Sequence, residues 1–489
     1  MTLESERIAK IIKSIPEIAV DSPNELVTKI TTLLPFIQDF LEKKHSIPFY
    51  RTESLESIER VFNRKIPSTG STWDVILKFF SSEVIPRFNT IASNKFLAYI
   101  PGDPTPASML GAMMVPFFNQ FVGNVMATPG GVAIEGLSLQ WIKELMGFDP
   151  SAGACFTSGG SMANLTCLYS ALNTKVPWLK EQGLGQKKPI IYCSDQTHNS
   201  VFKALIMFGL GLNAIHIIPT EEDFTINVSY LRKQIIADSE KDNFLPVIVI
   251  ANAGTTNTGA IDSIDDLLSL TKEYNLWLHV DGAYGALSRV TDLKASRLLE
   301  KLSEVDSIAL DAHKWMFVPY EAGISLVKDR KALKNAFSVT AEYLSESHAT
   351  QETTLMVNYW EYSPQLSREF RGLKIWFFFM TYGLEGLKSF ITKNIQLTKY
   401  LTARIREDPN FELMATSELS IVCFRWKGSD EVNNNIITQI QQNQNYYISR
   451  TTLKGRSTIR VCIINLSANI SLIDGLLHEI RTIATNLTN

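Results

Sequence analysis

The chain is predicted to be an α/β protein: a mostly parallel sheet covered by helices, followed by a smaller α+β domain. Three observations lead there. Between about residues 91 and 385, short β-branched runs alternate with helical patterns, as βαβ units require. Those runs (Pro189 to Cys193, Ala214 to Ile218, Pro246 to Ala251, Trp277 to Asp281, Ser307 to Leu310) are nearly all apolar, as strands buried on both faces are. Polar residues gather just after them, where parallel sheets bind ligands.

Taken in order, residues 1–90 read as a helical segment without strands, 91–385 as the large domain and 386–489 as the small one. The densest apolar stretch, Met109 to Phe118, reads as a buried helix at a subunit contact, with Phe117 and Phe118 in the core. Ala152 to Phe156 is a short apolar stretch. It leads through Thr157-Ser158-Gly159-Gly160-Ser161-Met162-Ala163-Asn164 into a helical pattern at Leu165, Leu168 and Leu172. Residues 337–364 are polar and poorly patterned, and a loop of that length in a compact domain is functional or disordered. A helix over Lys388 to Arg406 then precedes strands Ser420 to Trp426 and Thr458 to Ile464. An amphipathic helix, Ile470 to Thr485, follows them.

Bulk properties exclude several classes. The 489 residues are 45% hydrophobic with a formal charge of -3, which suits a globular chain with a large core. The 47 basic and 50 acidic residues nearly balance, so no nucleic-acid partner is expected. No run of 18 apolar residues exists and the first twenty residues carry charges throughout, so neither a membrane span nor a secretory leader is read. Five cysteines form no CxxC pair, which points to reduced thiols in a cytoplasm and gives no metal-site spacing.

The chemistry is carried by four places. Lys314, in Asp311-Ala312-His313-Lys314-Trp315, is a candidate to form an imine with an aldehyde cofactor. That reaction needs the neutral amine, so burial and cationic neighbours are expected to lower its pKa. Asp281 ends the apolar run Trp277-Leu278-His279-Val280-Asp281, where a carboxylate holds a pyridine nitrogen protonated. This pairing is what pyridoxal 5'-phosphate (PLP) requires of a protein. Gly159, Gly160 and Ser161 open a helix, whose N-terminal N–H groups favour a phosphate. His198 follows a strand-like run, where a flat imidazole stacks on a cofactor ring.

The chain resembles the group II PLP-dependent decarboxylases, most closely the aromatic-L-amino-acid decarboxylases. The resemblance is carried by Phe96-Leu97-Ala98-Tyr99-Ile100-Pro101, Thr157 to Asn164, Ser194-Asp195-Gln196-Thr197-His198 and Gly254-Thr255-Thr256-Asn257-Thr258-Gly259. It continues through His279-Val280-Asp281-Gly282-Ala283-Tyr284, His313-Lys314-Trp315 and Arg368-Glu369-Phe370-Arg371-Gly372. It implies fold type I of the PLP-dependent transferases (aspartate aminotransferase-like), with a mostly parallel seven-stranded sheet. It implies a homodimer whose N-terminal segment packs on the partner subunit. Lys314 would carry the cofactor, Asp281 meet the pyridine nitrogen, and His198 and Ala283 cover the ring faces. Gly160, Ser161 and His313 would hold the phosphate, and Thr255 would reach the ring substituents. Asp311 stands where aromatic relatives often have an asparagine touching phosphate, so it either points elsewhere or contacts through water.

The implied reaction is decarboxylation of an L-amino acid to the amine and CO2. Tyr343, in the 337–364 loop, matches a tyrosine that returns a proton to Cα, with His198 as a further participant. Tyr99, Ile100 and Pro101, with Phe121 from the neighbouring subunit, would form a wall suited to an aromatic side chain. Gly102 departs from the aromatic relatives, which often carry a hydroxyl residue near the substrate carboxylate. Alternatives stay open: an acidic or basic amino acid such as glutamate, cysteine sulfinate or diaminobutyrate; oxidative aldehyde formation; or a silent PLP-binding protein.

Overall fold

The computed structural model describes residues 3–15, 20–49, 53–339 and 352–488. The chain divides into two compact units, Met1–Thr90 and Ile91–Asn489.

The first unit is helical: α1 (Leu3–Ser14), α2 (Pro23–Lys43), α3 (Leu55–Phe62) and α4 (Trp73–Phe79). Helix α2 starts where its residues dictate. Ser22 caps Glu25 N–H while the Glu25 carboxylate returns to Ser22 N–H at 2.7 Å, a capping box with proline just inside. No residue of α2, α3 or α4 is buried.

The second unit is built on a seven-stranded sheet in the order β1-β7-β6-β5-β4-β2-β3. Its strands are β1 (Gly153–Thr157), β2 (Lys188–Ser194), β3 (Ile215–Ile218), β4 (Phe244–Asn252), β5 (Trp277–Asp281), β6 (Ser307–Asp311) and β7 (Gly323–Val327). Pairing is parallel from β3 to β6, and β7 runs antiparallel between β6 and β1. Every residue of β1, β5, β6 and β7 is buried. The antiparallel β7 has a useful effect. The carboxyl ends of β1, β2, β5 and β6 and the amino end of β7 share one edge of the sheet.

Helices α5 (Pro106–Phe118), α6 (Pro129–Leu145) and α7 (Gly160–Lys175) belong to this unit, with a long helix, Gly372–Glu407. That helix begins well before the expected Lys388, because Gly383 (φ +62°) kinks it and splits the sequence pattern in two. Gly372 lets it approach α6: a Cβ there would meet the Glu135 Cα at 2.8 Å. At this crossing Arg368 and Glu135, both fully buried, pair at 2.7 Å. Arg368 also donates to the Val122 and Phe156 carbonyls at 3.0 and 2.9 Å.

Phe117 and Phe118 are not core residues of the single chain. Helix α5 is apolar all round, only Ala107, Ser108 and Gly111 are buried, and the two rings stay 49% and 59% exposed.

The C-terminal part forms a four-stranded antiparallel sheet, β10-β11-β9-β8, from β8 (Phe411–Ala415), β9 (Ile421–Trp426), β10 (Ser449–Leu453) and β11 (Arg456–Cys462). It has its own core, including Phe424, Ile436, Ile459, Leu476 and Ile480. Leu97 belongs to that core. Its N–H donates to Tyr447 O at 2.7 Å and its carbonyl accepts from Cys462 N–H at 2.8 Å. No described helix is long and apolar enough to cross a membrane.

Candidate active site

Strand β1 ends at Thr157, and the chain turns through Gly159 into α7. Gly159 has φ +154° and ψ 178°, a conformation essentially restricted to glycine. No side-chain hydrogen bond caps α7, and Gly159, Gly160 and Ser161 at its start line a cavity of about 410 Å³. A Cβ on Gly160 would lie 2.7 Å from Asp311 Oδ2 and 3.2 Å from Ala283 Cβ. The cradle therefore exists only because this residue has no side chain.

Asp281 closes β5 at the floor of the cavity and is 8% exposed. Its Oδ1 accepts from Ala283 N–H at 3.2 Å and its Oδ2 from Asn164 Nδ2 at 3.0 Å. His198 follows β2 as the cap of helix Asn199–Met207, with Nδ1 accepting the Ser200 N–H at 3.3 Å. Burial pushes its imidazole below the ordinary value, more than the Asp281 charge raises it.

Lys314 follows β6 on a short helix, Ala312–Trp315, and reaches the same cavity. Its expected low pKa is corrected. Burial does press it down, but Asp311 and Asp281 outweigh that and hold the amine above its ordinary value. Anions surround it where cations were expected. Asp311 Oδ2 is 3.0 Å from Lys314 Nζ and 3.6 Å from His313 Nε2, so Asp311 points into the cavity, not away. The other oxygen, Oδ1, is buried with no hydrogen-bond partner among the described residues. His313 also lines the cavity; burial lowers its pKa, and the Tyr320 ring packs against it tilted by 38°, with centroids 4.5 Å apart.

A second cavity of about 720 Å³ shares His198, Thr256, Lys314 and Tyr320 with the first. Tyr99, Ile100 and Pro101 line it, as do Arg450 and Arg460 from β10 and β11. Arg460 is 5% exposed. Its guanidinium donates to the carbonyls of Thr256 (2.7 Å), Asn257 (3.1 Å) and Tyr99 (3.1 Å). Gly102 sits so close to the lysine segment that a Cβ would meet Lys314 O at 2.2 Å, which explains why no hydroxyl residue stands there.

The Thr255 hydroxyl bonds Thr258 Oγ1 at 2.8 Å and takes the Ala260 N–H at 3.1 Å, while its neighbours Gly254 and Thr256 line the first cavity. Phe121 packs against Trp360, centroids 6.1 Å apart, and lines neither of these two cavities of its own chain. Tyr343 lies outside the described residues. The sequence reading missed Asn164, Tyr320 and Arg460. Asn164 was quoted only as the end of the glycine turn, and the other two carry no local pattern.

The family model of the pyridoxal-dependent decarboxylase conserved domain matches residues 56–427. An aromatic-L-amino-acid decarboxylase of Bacillus atrophaeus is 32% identical over 460 residues, covering 92% of this chain and 94% of that protein. A phenylacetaldehyde synthase of Petunia hybrida is 27% identical, covering 96% of each. Among solved structures, Oryza sativa TDC with PLP and tryptamine superposes with a TM-score of 0.89 at 23% identity, over 97% of this chain and 100% of that one. The chain belongs to the pyridoxal-dependent decarboxylase family, adopts its fold and is a PLP-dependent carboxy-lyase. The residues fit that cofactor: a lysine amine, a buried carboxylate, an uncapped helix N-terminus and a cradle at Gly160 that a Cβ would fill.

Proposed function

We propose that this chain converts an aromatic L-amino acid to its amine and CO2. One observation carries the reading. Lys314 and His198 belong both to the cavity that holds Asp281 and the α7 N-terminus and to the one walled by Tyr99, Ile100 and Pro101.

When bound, PLP supplies an electron-accepting ring for the pair left on Cα as the carboxylate departs. Lys314 is its attachment point. Asp281, aimed by Asn164 and the Ala283 N–H, keeps a proton on the pyridine nitrogen, which a buried carboxylate favours. The N–H groups opening α7, the Ser161 hydroxyl and His313 hold the phosphate. His198 and Ala283 cover the two ring faces. Tyr99, Ile100 and Pro101 bury the substrate side chain and exclude water, and Arg460 places positive charge in the wall for a carboxylate. Tyr343 returns the proton to Cα.

The apolar face left open by Leu110, Met113, Phe117 and Phe118 on α5, with Met380 and Leu384 on helix Gly372–Glu407, supports a homodimer. In it Phe121 would join the neighbour's substrate wall. Five free, buried cysteines agree with a cytoplasmic setting. A second reading has one observation in its favour. Arg450 and Arg460 line the substrate cavity, and an acidic amino acid would need such a cation.

The test is a product assay on the PLP-loaded protein with tryptophan, tyrosine, DOPA, phenylalanine, histidine, glutamate, aspartate and diaminobutyrate. Aromatic amines alone are expected. Amines only from acidic substrates would move the assignment to the second reading, and aldehyde with peroxide would remove the role given to Tyr343. Lys314→Ala should abolish turnover; sustained multiple turnover would refute the site.

A further inference from the structure

Behind the cavity lies a chain of hydrogen bonds that the proposed chemistry has not used. Asn164, 1% exposed on the first turns of α7, is its hub. One amide hydrogen goes to Asp281 Oδ2 and the other to Ser200 Oγ, both at 3.0 Å. The amide oxygen sits 2.9 Å from His279 Nε2. His279 Nδ1 is 2.9 Å from Ser307 Oγ, which takes the Trp277 indole N–H at 2.8 Å. On the other arm, Ser200 Oγ is 2.9 Å from His198 Nδ1.

The direction of each hydrogen follows from the inventory of donors. An indole nitrogen only donates, so Ser307 accepts from Trp277 and keeps its own proton free for His279 Nδ1. His279 is fully buried, and burial pushes it down to about 4, so the ring is neutral with its proton on Nε2. That proton meets the Asn164 oxygen. An ionised carboxylate only accepts, so the amide nitrogen faces Asp281 and Ser200 and the amide oxygen is left to take the His279 Nε2 hydrogen. Ser200 receives one of those hydrogens and has its own left for His198 Nδ1, where the Ser200 backbone N–H also points at 3.3 Å. His198 Nδ1 is thus an acceptor twice over.

We propose that Asn164 is a positioning residue that aims the Asp281 carboxylate and, through Ser200, holds the His198 ring with its hydrogen on Nε2. Both cofactor-facing groups then receive one fixed pattern of hydrogens from a single buried amide. His198 consequently offers the cavity a hydrogen and no lone pair. It donates a hydrogen bond there and does not act as the base that takes the substrate's ammonium proton. The inference rests on the roles given above to Asp281 and His198, and it adds the residue that couples them.

Two variants and three readouts, two NMR signals and PLP affinity, none of them turnover, test it. PLP labelled with ¹⁵N at the pyridine nitrogen reports by NMR whether that nitrogen is protonated on the protein. ¹⁵N-histidine labelling of the cofactor-free protein reports the protonation of His198 among the seven histidines, assigned with His198→Gln. Asn164→Asp sets a carboxylate against Asp281, and such a pair shares a proton. It should reduce the pyridinium signal and weaken PLP binding roughly 10- to 100-fold, the range for a lost hydrogen bond to a charged group. Ser200→Ala cuts only the histidine arm. It should shift the His198 Nδ1 resonance, which loses one of its two donors, while PLP affinity stays within about threefold. Unchanged pyridine signal and affinity in Asn164→Asp would overturn the positioning role. Wild-type His198 signals in Ser200→Ala would overturn the relay. Asp281→Asn serves as the reference. If it too leaves the pyridine signal unchanged, the assignment of Asp281 has failed, not that of Asn164.

Discussion

Replacing Arg368 with methionine should cost about 3–5 kcal/mol of folding free energy, the range for a buried charge stripped of its partner. The side chains of Arg368 and Glu135 have no exposed surface, so solvent does not screen their 2.7 Å contact. Methionine fills much of the vacated volume, so the loss is electrostatic, not a cavity. Glu135 would keep a weak bond from Gly372 N–H at 3.3 Å, and the Val122 and Phe156 carbonyls would lose their donor. Against a typical total of roughly 5–15 kcal/mol, that is a large fraction. The pH dependence has a definite sign. Burial already holds the Glu135 carboxyl above its ordinary value, ahead of the opposing pull of Arg368. Without Arg368 it rises further, so the variant's deficit grows as pH climbs past the unfolded carboxylate value and shrinks as pH falls back toward it. The assay is urea unfolding followed by tryptophan fluorescence at pH 5.5 and 7.5. It compares the wild type, Arg368→Met, and Arg368→Met with Glu135→Gln. The double variant should recover about 2 kcal/mol or more, because no charge remains buried. A single-variant loss under about 1 kcal/mol, or a double variant no better than the single, would refute the reasoning.

Three further outcomes are expected. Imine formation needs the neutral amine, and Asp311 with Asp281 holds Lys314 charged, so PLP capture by the empty protein should speed as pH rises. Asp311→Asn should move that rate profile to lower pH; a profile that stays put would count against the 3.0 Å pair. Gly102→Thr should push the Tyr99–Pro101 segment away from Lys314 and raise KM for an aromatic substrate at least tenfold, since its Cβ meets Lys314 O at 2.2 Å. Unaltered steady-state kinetics would show that the segment yields freely. Burial pushes the Cys155 thiol up to about 11 and Cys423 up to about 12, so iodoacetamide at pH 8 should modify neither until urea is added. Stoichiometric labelling of the native protein, read by mass, would contradict that.

The parallel strands were legible because burial on both faces leaves continuous apolar runs: Trp277–Asp281 is strand β5 as read, and Pro189 to Cys193 falls inside Lys188–Ser194. Strand β7 was missed because five residues after an irregular turn carry no periodicity, and β10 because four of its five residues are exposed or only half-buried. In the site, Lys314, Asp281 and His198 stood out because each follows a strand. Thr255 was named from the family resemblance alone, and only the folded turn shows that Thr256 beside it lines the cavity. The sign of the Lys314 shift could not be read, since it depends on where Asp311 points. Arg460 was invisible for a plainer reason: 361 positions separate it from the Tyr99 carbonyl it holds.

That guanidinium has a consequence for anyone redesigning the substrate range. Tyr99 is distant in sequence from the adjacent Thr256 and Asn257, yet one side chain from β11 ties their carbonyls together. The selectivity wall is therefore not a portable cassette. Grafting Phe96–Pro101 from a relative would import rings without the clasp that sets their depth. A functional transplant has to move the 96–102 segment, the 254–257 turn and the β10–β11 hairpin as one unit.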